Sequence, residues 1–195
     1  MSLLGFAVIA LWVVVILQLG VIFALARQVG ILFERVSPVG AMISSNGPEL
    51  GETVPALVLP NLNGAPLTLG QGGRSQLVFF LSTSCPICKA LLPALKSIRG
   101  DEGKWLDVIL ASDGRETLHR KLIEAEGLGA FPYVLSSELG MNFKVAKLPF
   151  AVLIDDRGTV ASKGLVNSRE QLESLFTASE TGIPSYQAAV AGMSS

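Results

Sequence analysis

The first 26 residues constrain this chain more than any other feature. Ser2 to Ala26 carries no charged side chain, and the 15 Lys/Arg and 16 Asp/Glu all lie from Arg27 onward. Leu3 to Ala26 reads LLGFAVIALWVVVILQLGVIFALA, with Gln18 its one strongly polar side chain. As a helix rising ~1.5 Å per residue, this charge-free run reaches roughly 37 Å, enough to cross a ~30 Å hydrocarbon core with some tilt. A cleaved signal peptide is the competing reading, and Ala24-Leu25-Ala26 has the small-x-small form of a cleavage site. Against it, no Lys or Arg precedes the run, which far exceeds the ~7–15 residue core of such a peptide. The expectation is one retained transmembrane helix at residues 3–26, with Trp12 facing lipid. A freely soluble protein is disfavoured, and so is a multi-span transporter, since no second stretch of this kind follows. The net charge of −1 and the lack of a basic cluster leave no electrostatic footprint for nucleic acid.

The charges flanking this run bear on orientation. Arg27 and Arg35 lie on its C-terminal side, with Glu34 between them. By the positive-inside rule alone they favour a cytoplasmic main domain. The chemistry of the rest of the chain points the other way.

Residues 27–50 read as a juxtamembrane segment and linker. RQVGILFER can continue the helix to about Arg35, and Ser37-Pro38-Val39-Gly40 ends it, because proline excludes helix from the residue before it. Asn46-Gly47-Pro48 prolongs the break. One compact domain is expected over residues 51–177. Its start, ETVPALVLPNLNGAPLTL, alternates short apolar runs with turn signals and predicts small edge strands. Leu77 to Leu81 (LVFFL) is a continuous apolar run, as in a strand buried on both faces. Pro86 to Ile98 has helical spacing, with Leu91, Leu92, Leu95 and Ile98 on one side. Trp105 to Ala111 predicts another central strand, and Arg115 to Glu126 an amphipathic helix stopped by Gly127. A short strand follows at Tyr133–Leu135, then a short helix over Glu138 to Val145. Phe150 to Ile154 and Thr159 to Ser162 predict a hairpin, and Ser168 caps a last helix to about Phe176. Residues 178–195, rich in Ser, Ala and Gly, predict a disordered tail. Strands and helices that alternate and then yield to a hairpin indicate an α/β fold with a mixed sheet flanked by helices.

The two cysteines, Cys85 and Cys88, form C-P-I-C between the buried strand and the helix that opens at Pro86. A thiolate at a helix N-terminus faces unpaired backbone N–H groups and the positive end of the helix dipole, which stabilise it. Pro86 suits the first helical position, where a missing N–H costs nothing. Cys88, one turn along, can close a small ring with Cys85. Such a pair exchanges disulfides with a partner, Cys85 attacking and Cys88 resolving the mixed disulfide. A zinc site needs about four ligands, and only two thiols and the lone His119 on a distant helix are on offer. A c-type haem site needs His after the second cysteine, where Lys89 stands. No cofactor is expected beyond a redox-active Cys85–Cys88 disulfide.

With these residues in place, the chain resembles the thioredoxin superfamily over roughly residues 50–177. The strand–CxxC–helix unit matches the superfamily's active-site unit, and Pro93 matches the proline within its helix. Lys147-Leu148-Pro149-Phe150, just before a strand, matches its cis-proline loop. The resemblance implies that Leu148 and Pro149, with Pro86, meet the substrate backbone beside the cysteines. Gly51-x-x-x-Pro55 and the strands before Leu77 resemble the extended N-terminal part of membrane-tethered and peroxiredoxin-like relatives. Two departures narrow the role. Ser84 and Phe79 stand where thioredoxin itself has a Trp and a buried Asp, which argues against a general reductase. Ser82 and Val78 stand where peroxiredoxins need Thr and Pro, which argues against a peroxidase.

A narrower resemblance spans the whole chain. The uncharged helix, RQVGILFERVSPVGAM (Arg27 to Met42), the C-P-I-C and the K-L-P-F together resemble the MauD family, accessory proteins of methylamine dehydrogenase in methylamine utilization. The resemblance implies that the client is the small subunit of that enzyme, rich in disulfides and carrying a cofactor made from its own tryptophans. It also implies disulfide formation, reduction or isomerisation in the periplasm, with a separate redox partner. That compartment is where disulfides persist. A non-catalytic assembly factor for the same subunit, and a thiol reductase of the cytochrome c biogenesis type, are the alternatives.

Other conspicuous residues have plainer readings. His119, in RETLHRKLIEAE, is expected on a solvated helix face. Asp155-Asp156-Arg157-Gly158 and Asp113-Gly114 are expected as turns. Lys89 and Lys147 flank the two site motifs and are expected at the surface.

Overall fold

The computed structural model of the chain describes Gly5, residues 11–23 and residues 47–181, the side chains of residues 179–181 excepted. Residues 11–23 are helical, and their apolar side chains, Trp12 and Phe23 among them, are exposed. Among the described residues no helix is long and apolar enough to cross a membrane. Both ends of the expected 3–26 span, the juxtamembrane segment to Asn46 and the tail from Gly182 lie outside the described residues.

Residues 47–181 are built on a five-stranded mixed sheet and a two-stranded hairpin. The hairpin joins β1 (Leu57–Leu59) to β2 (Leu67–Leu69). The sheet contains β3 (Ser75–Phe80), β4 (Leu106–Ser112), β5 (Tyr133–Leu135), β6 (Phe150–Ile154) and β7 (Val160–Leu165), in the order β5-β4-β3-β6-β7. β3, β4 and β5 run parallel, whereas β6 and β7 are antiparallel to their neighbours. Four helices complete it: α1 (Pro86–Glu102), α2 (Glu116–Ala125), α3 (Ser137–Asn142) and α4 (Arg169–Thr181).

The period-2 geometry of β3 explains the two layers. Leu77, Phe79 and Leu81 face a cluster with Cys88, Leu91, Leu95 and Ile98 of α1, joined by Leu122 of α2 and Leu172 of α4. Val78 and Phe80 face the opposite cluster, with Leu139 of α3, Phe143, Phe150 and the hairpin's Leu69. A strand covered on both faces must be apolar at every position, which is why Leu77 to Leu81 has no polar alternation.

Element boundaries follow local chemistry. α1 runs one turn beyond Ile98 to Glu102, with Arg99 in its last turn at the negative end of the dipole. α2 ends at Ala125, and Gly127 takes φ +60° while Leu128 N–H reaches back to the Ile123 carbonyl at 2.8 Å. α4 continues past Phe176 to Thr181. β7 runs to Leu165 rather than stopping at Ser162, because its outer residues pair with β6 as far as Phe150. The Asp155 carboxylate accepts the N–H groups of Arg157 and Thr159, at 2.9 and 2.8 Å, and so forms the expected turn. Contacts with the sheet begin before Gly51. Gly47 N–H donates to the Lys144 carbonyl at 3.1 Å, and a Cβ on Gly47 would lie 2.7 Å from the Phe150 ring.

Candidate active site

The site forms where β3 ends. Leu81 N–H still bonds to the Ala111 carbonyl of β4 at 2.9 Å, and Ser82 to Ser84 then turn the chain toward α1. In this turn the Ser82 and Ser84 hydroxyls lie 3.1 Å apart, and Cys85 N–H donates to the Ser82 carbonyl at 3.2 Å. Cys85 is extended (φ −84°, ψ 111°) and caps the helix. Its sulfur accepts the backbone N–H of Cys88 at 3.1 Å, using a donor that a helix start leaves unpaired. Pro86 follows at the first helical position and is exposed.

The two thiols differ in environment although both are free. Cys85 is half-buried and reachable, whereas Cys88 is 1% exposed within the α1 cluster. Burial, reinforced by its hydrogen bond with Cys85, pushes the Cys88 thiol up to about 12. A reachable sulfur at the dipole's positive end and a protonated one behind it suit an attacking and a resolving thiol respectively.

Register brings the second motif to the same sheet end. Phe80 pairs with Phe150 across β3 and β6, so Pro149 stands beside Leu81 as β3 leaves the sheet. The Leu148–Pro149 peptide is cis. Pro149 is buried, and its carbonyl accepts Val166 N–H at 3.1 Å, whereas Leu148 is 39% exposed. Pro93 lies inside α1 without ending it. Lys89 and Lys147 are exposed.

A cleft of about 780 Å³ opens beside this loop, at the C-terminal ends of β3 and β4. Leu81, Ser112, Met141, Lys144, Lys147 and Leu148 are among its walls. Lys144 has φ +49°, a left-handed position that usually falls to glycine. It follows α3, where Lys144 N–H bonds to the Met141 carbonyl and Val145 N–H to the Gly140 carbonyl, both at 2.9 Å. No spacing in the sequence marked this cleft, because its walls come from three separate stretches of chain, around residues 80–81, 111–113 and 136–148.

His119 corrects the expectation of a solvated histidine. It is 2% exposed, with Nδ1 2.8 Å from the Tyr133 hydroxyl and Nε2 2.8 Å from the Asp113 carbonyl. Both ring nitrogens are therefore committed within the fold, and neither is turned toward the thiols as a metal ligand. The signal was present in RETLHRKLIEAE: Leu122 and Ile123, at i+3 and i+4, share the helix face of His119 and are buried with it.

Comparison with known proteins now adds to this geometry. No family model matches the chain. Among solved structures, StoA from Bacillus subtilis aligns with a TM-score of 0.55 at 22% identity, covering 64% of this chain and 99% of StoA. The thioredoxin domain of a thiol-disulfide oxidoreductase from Bacteroides vulgatus aligns with a TM-score of 0.55 at 21% identity, covering 67% of this chain and 97% of that one. At such identities the likeness establishes a thioredoxin-like fold and nothing finer. Curated relatives are nearer. Methylamine utilization protein MauD of Paracoccus denitrificans is 43% identical over 182 residues, 92% of this chain and 90% of the relative. The MauD protein of Methylorubrum extorquens is 40% identical over 182 residues, 92% of this chain and 88% of the relative. With a thioredoxin-like fold, its two cysteines at a helix start and likeness along nearly its whole length, the chain belongs to the MauD family of methylamine utilization proteins.

Proposed function

We propose that this protein is a thiol–disulfide oxidoreductase that forms or isomerises disulfides in the small subunit of methylamine dehydrogenase during its maturation. Residues 3–26 anchor it in the membrane, and the domain at residues 51–177 works in the periplasm. The observation that carries the reading is the asymmetry of the cysteine pair: Cys85 reachable at the cap of α1, Cys88 buried one turn behind it with its N–H on the Cys85 sulfur. Cys85 attacks a client disulfide, leaving a client thiolate and a Cys85–client mixed disulfide. Cys88 then displaces the second client sulfur and closes Cys85–Cys88. Run in reverse, the same two steps oxidise a client dithiol, and a separate redox partner restores the starting state. Pro86, next to Cys85 in the chain, and the Leu148–Pro149 loop at the same end of the sheet receive the client's backbone. Membership of a methylamine utilization family supports the choice of client.

Replacing Cys88 with Ser removes resolution and leaves attack. In cells producing the small subunit, Cys88→Ser accumulates a covalent complex through Cys85 that reducing agent releases. Absence of any such adduct overturns the catalytic reading.

The exposed apolar side chains Ile87 (44%), Met141 (70%) and Leu148 (39%) around the cysteines and the cleft favour a second reading, client binding without exchange. On that reading Cys85→Ala/Cys88→Ala still supports methylamine dehydrogenase production, whereas the exchange reading expects it to fail. A reductase of the cytochrome c biogenesis type would differ from both, since deletion would deplete many haem proteins rather than one enzyme.

A further inference from the structure

The cysteine pair does not account for the cleft beside the Leu148–Pro149 loop. Neither cysteine is among its walls. Phe80 and Ala111 in its lining belong to the core on the α3 side of the sheet, whereas Cys88 belongs to the α1 side. Two walls nonetheless lead to the reacting sulfur: Leu81 opens the turn to Cys85, and Leu148 precedes Pro149. Leu81 and Cys85 lie four positions apart, at most roughly 14 Å of extended chain. Client residues up to about four from the one whose sulfur meets Cys85 can therefore reach the cleft.

The walls combine apolar surface with basic groups. Met141 and Leu148 expose apolar side chains there. Two of the hydroxyls are used inside the fold: Ser112 donates to the Leu81 carbonyl at 2.7 Å, and Ser136 accepts the Leu139 N–H at 3.1 Å. Lys144 and Lys147 are exposed, and among the described residues neither is in an ion pair. Asp113 is the one carboxylate among the described walls, so two cations face one anion in a chain of net charge −1. Lys144 is also held where lysine is disfavoured. Its φ of +49° is left-handed, just past the end of α3, where glycine ordinarily stands. Glycine would close the same turn without strain, because the hydrogen bonds of the turn come from the backbone N–H groups of Lys144 and Val145. Strain of this kind gathers at binding surfaces, where the side chain has a task.

We infer that this cleft selects the client: it takes an apolar side chain with a carboxylate beside it, from client chain within about four residues of the reacting cysteine. The inference rests on the exchange reading. Met141 and Leu148 cover the apolar side chain, and Lys144 and Lys147 meet the carboxylate. The flexible thioether of Met141 adapts to apolar groups of different shape, so charge does the selecting. A lysine ammonium is a compact charge on a flexible stem, which favours an acidic segment rather than one fixed geometry.

The test uses the full-length reduced protein and disulfide-linked dimers of a one-cysteine peptide, in which both sulfurs are equivalent. The cysteine is flanked on each side by Leu and then by Glu, Gln or Lys. The second-order rate constant for release of peptide thiol is measured after acid quenching and divided by that with dithiothreitol, which removes the intrinsic reactivity of each peptide. The Glu peptide is expected to exceed the Lys peptide about tenfold at low ionic strength, and the difference to shrink as salt screens the charges. Lys144→Glu should abolish or reverse that order. Lys144→Gly should slow the Glu peptide about threefold yet melt no lower than the natural protein, since the left-handed strain is gone. A merely structural Lys144 would leave the order of the peptides as it was. Should Lys144→Glu not fold, Lys147→Glu makes the same comparison. Equal normalised rates for the three peptides, or an order retained in the folded Glu variant, overturn the cleft's role and leave the exchange reading intact. If no peptide reacts with the natural protein, the exchange reading falls and this inference with it.

Discussion

Two residues separate Cys85 from Cys88, yet one sulfur is the cap of a helix and the other is part of a core. That difference has a consequence for stability. The folded state holds the Cys88 proton up to about 12, against an ordinary value of 9.0. Below the ordinary value both folded and unfolded chains keep the proton, and the stability this contributes is fully present. Between the two values the unfolded chain has lost it while the folded one retains it, so stability falls as pH rises. The reduced protein should show a denaturant midpoint that drops from about pH 9 toward about pH 12. Cys88→Ala should remove that part of the slope, and an unchanged slope in that variant would assign it to other groups. The local spacing made both cysteines legible as a pair. It said nothing of their burial, because that depends on which strands and helices close over the second one. His119 was misread for the same kind of reason: its immediate neighbours in the chain are charged, but burial is decided by the face it shares with Leu122 and Ile123.

At the scale of elements, the strand–CxxC–helix unit was readable almost to its ends. A continuous apolar run, an N-cap and a proline at the first helical position all act locally. The hairpin linking β6 to β7 was readable from Asp155-Asp156-Arg157-Gly158, and Gly158 supplies a sharp test. It has φ +80°, and a Cβ there would stand 2.6 Å from the Gly70 carbonyl, which itself belongs to the turn after β2. Gly158→Ala should destabilise the domain by roughly 2 kcal/mol, from left-handed strain and the backbone clash together. Equilibrium urea unfolding measures this, and a change below a few tenths would mean that the two turns can separate freely. β5 shows what local patterns omit. The strand itself was legible at Tyr133–Leu135, but its support was not: it has three residues and is held by a segment far away in the chain. Asn61 accepts its Tyr133 N–H at 2.9 Å, Leu62 N–H bonds to the Tyr133 carbonyl at 2.8 Å, and Asn63 ties down Leu128 and Phe131 beside it. Asn63, of the Asn63-Gly64 pair, reads as a turn residue in the sequence, and with Asn61 it is also the clasp on the strand that carries Tyr133.

At the scale of the whole molecule, the proposed mechanism depends on the side of the membrane that residues 51–177 occupy. Arg27 and Arg35 argue for the cytoplasm, and disulfide chemistry argues for the periplasm. A reporter active only in the periplasm, fused after Ser195, should be active, and a cytoplasmic reporter at the same place should be silent. The reverse pattern would remove the small subunit's disulfides from reach. What the sequence by itself determined was the set of short-range facts: an uncharged run at residues 2–26, two thiols one helical turn apart, and the order of strands and helices around them. These follow from helix rise, capping and side-chain periodicity, which act within a few residues. Only the tertiary structure placed Pro149 beside the end of β3, opened a cleft next to it and buried Tyr133 and His119 in the domain that encloses Cys88. Those relations join residues that lie far apart along the chain, and they exist only once strand register and packing have chosen which distant surfaces meet.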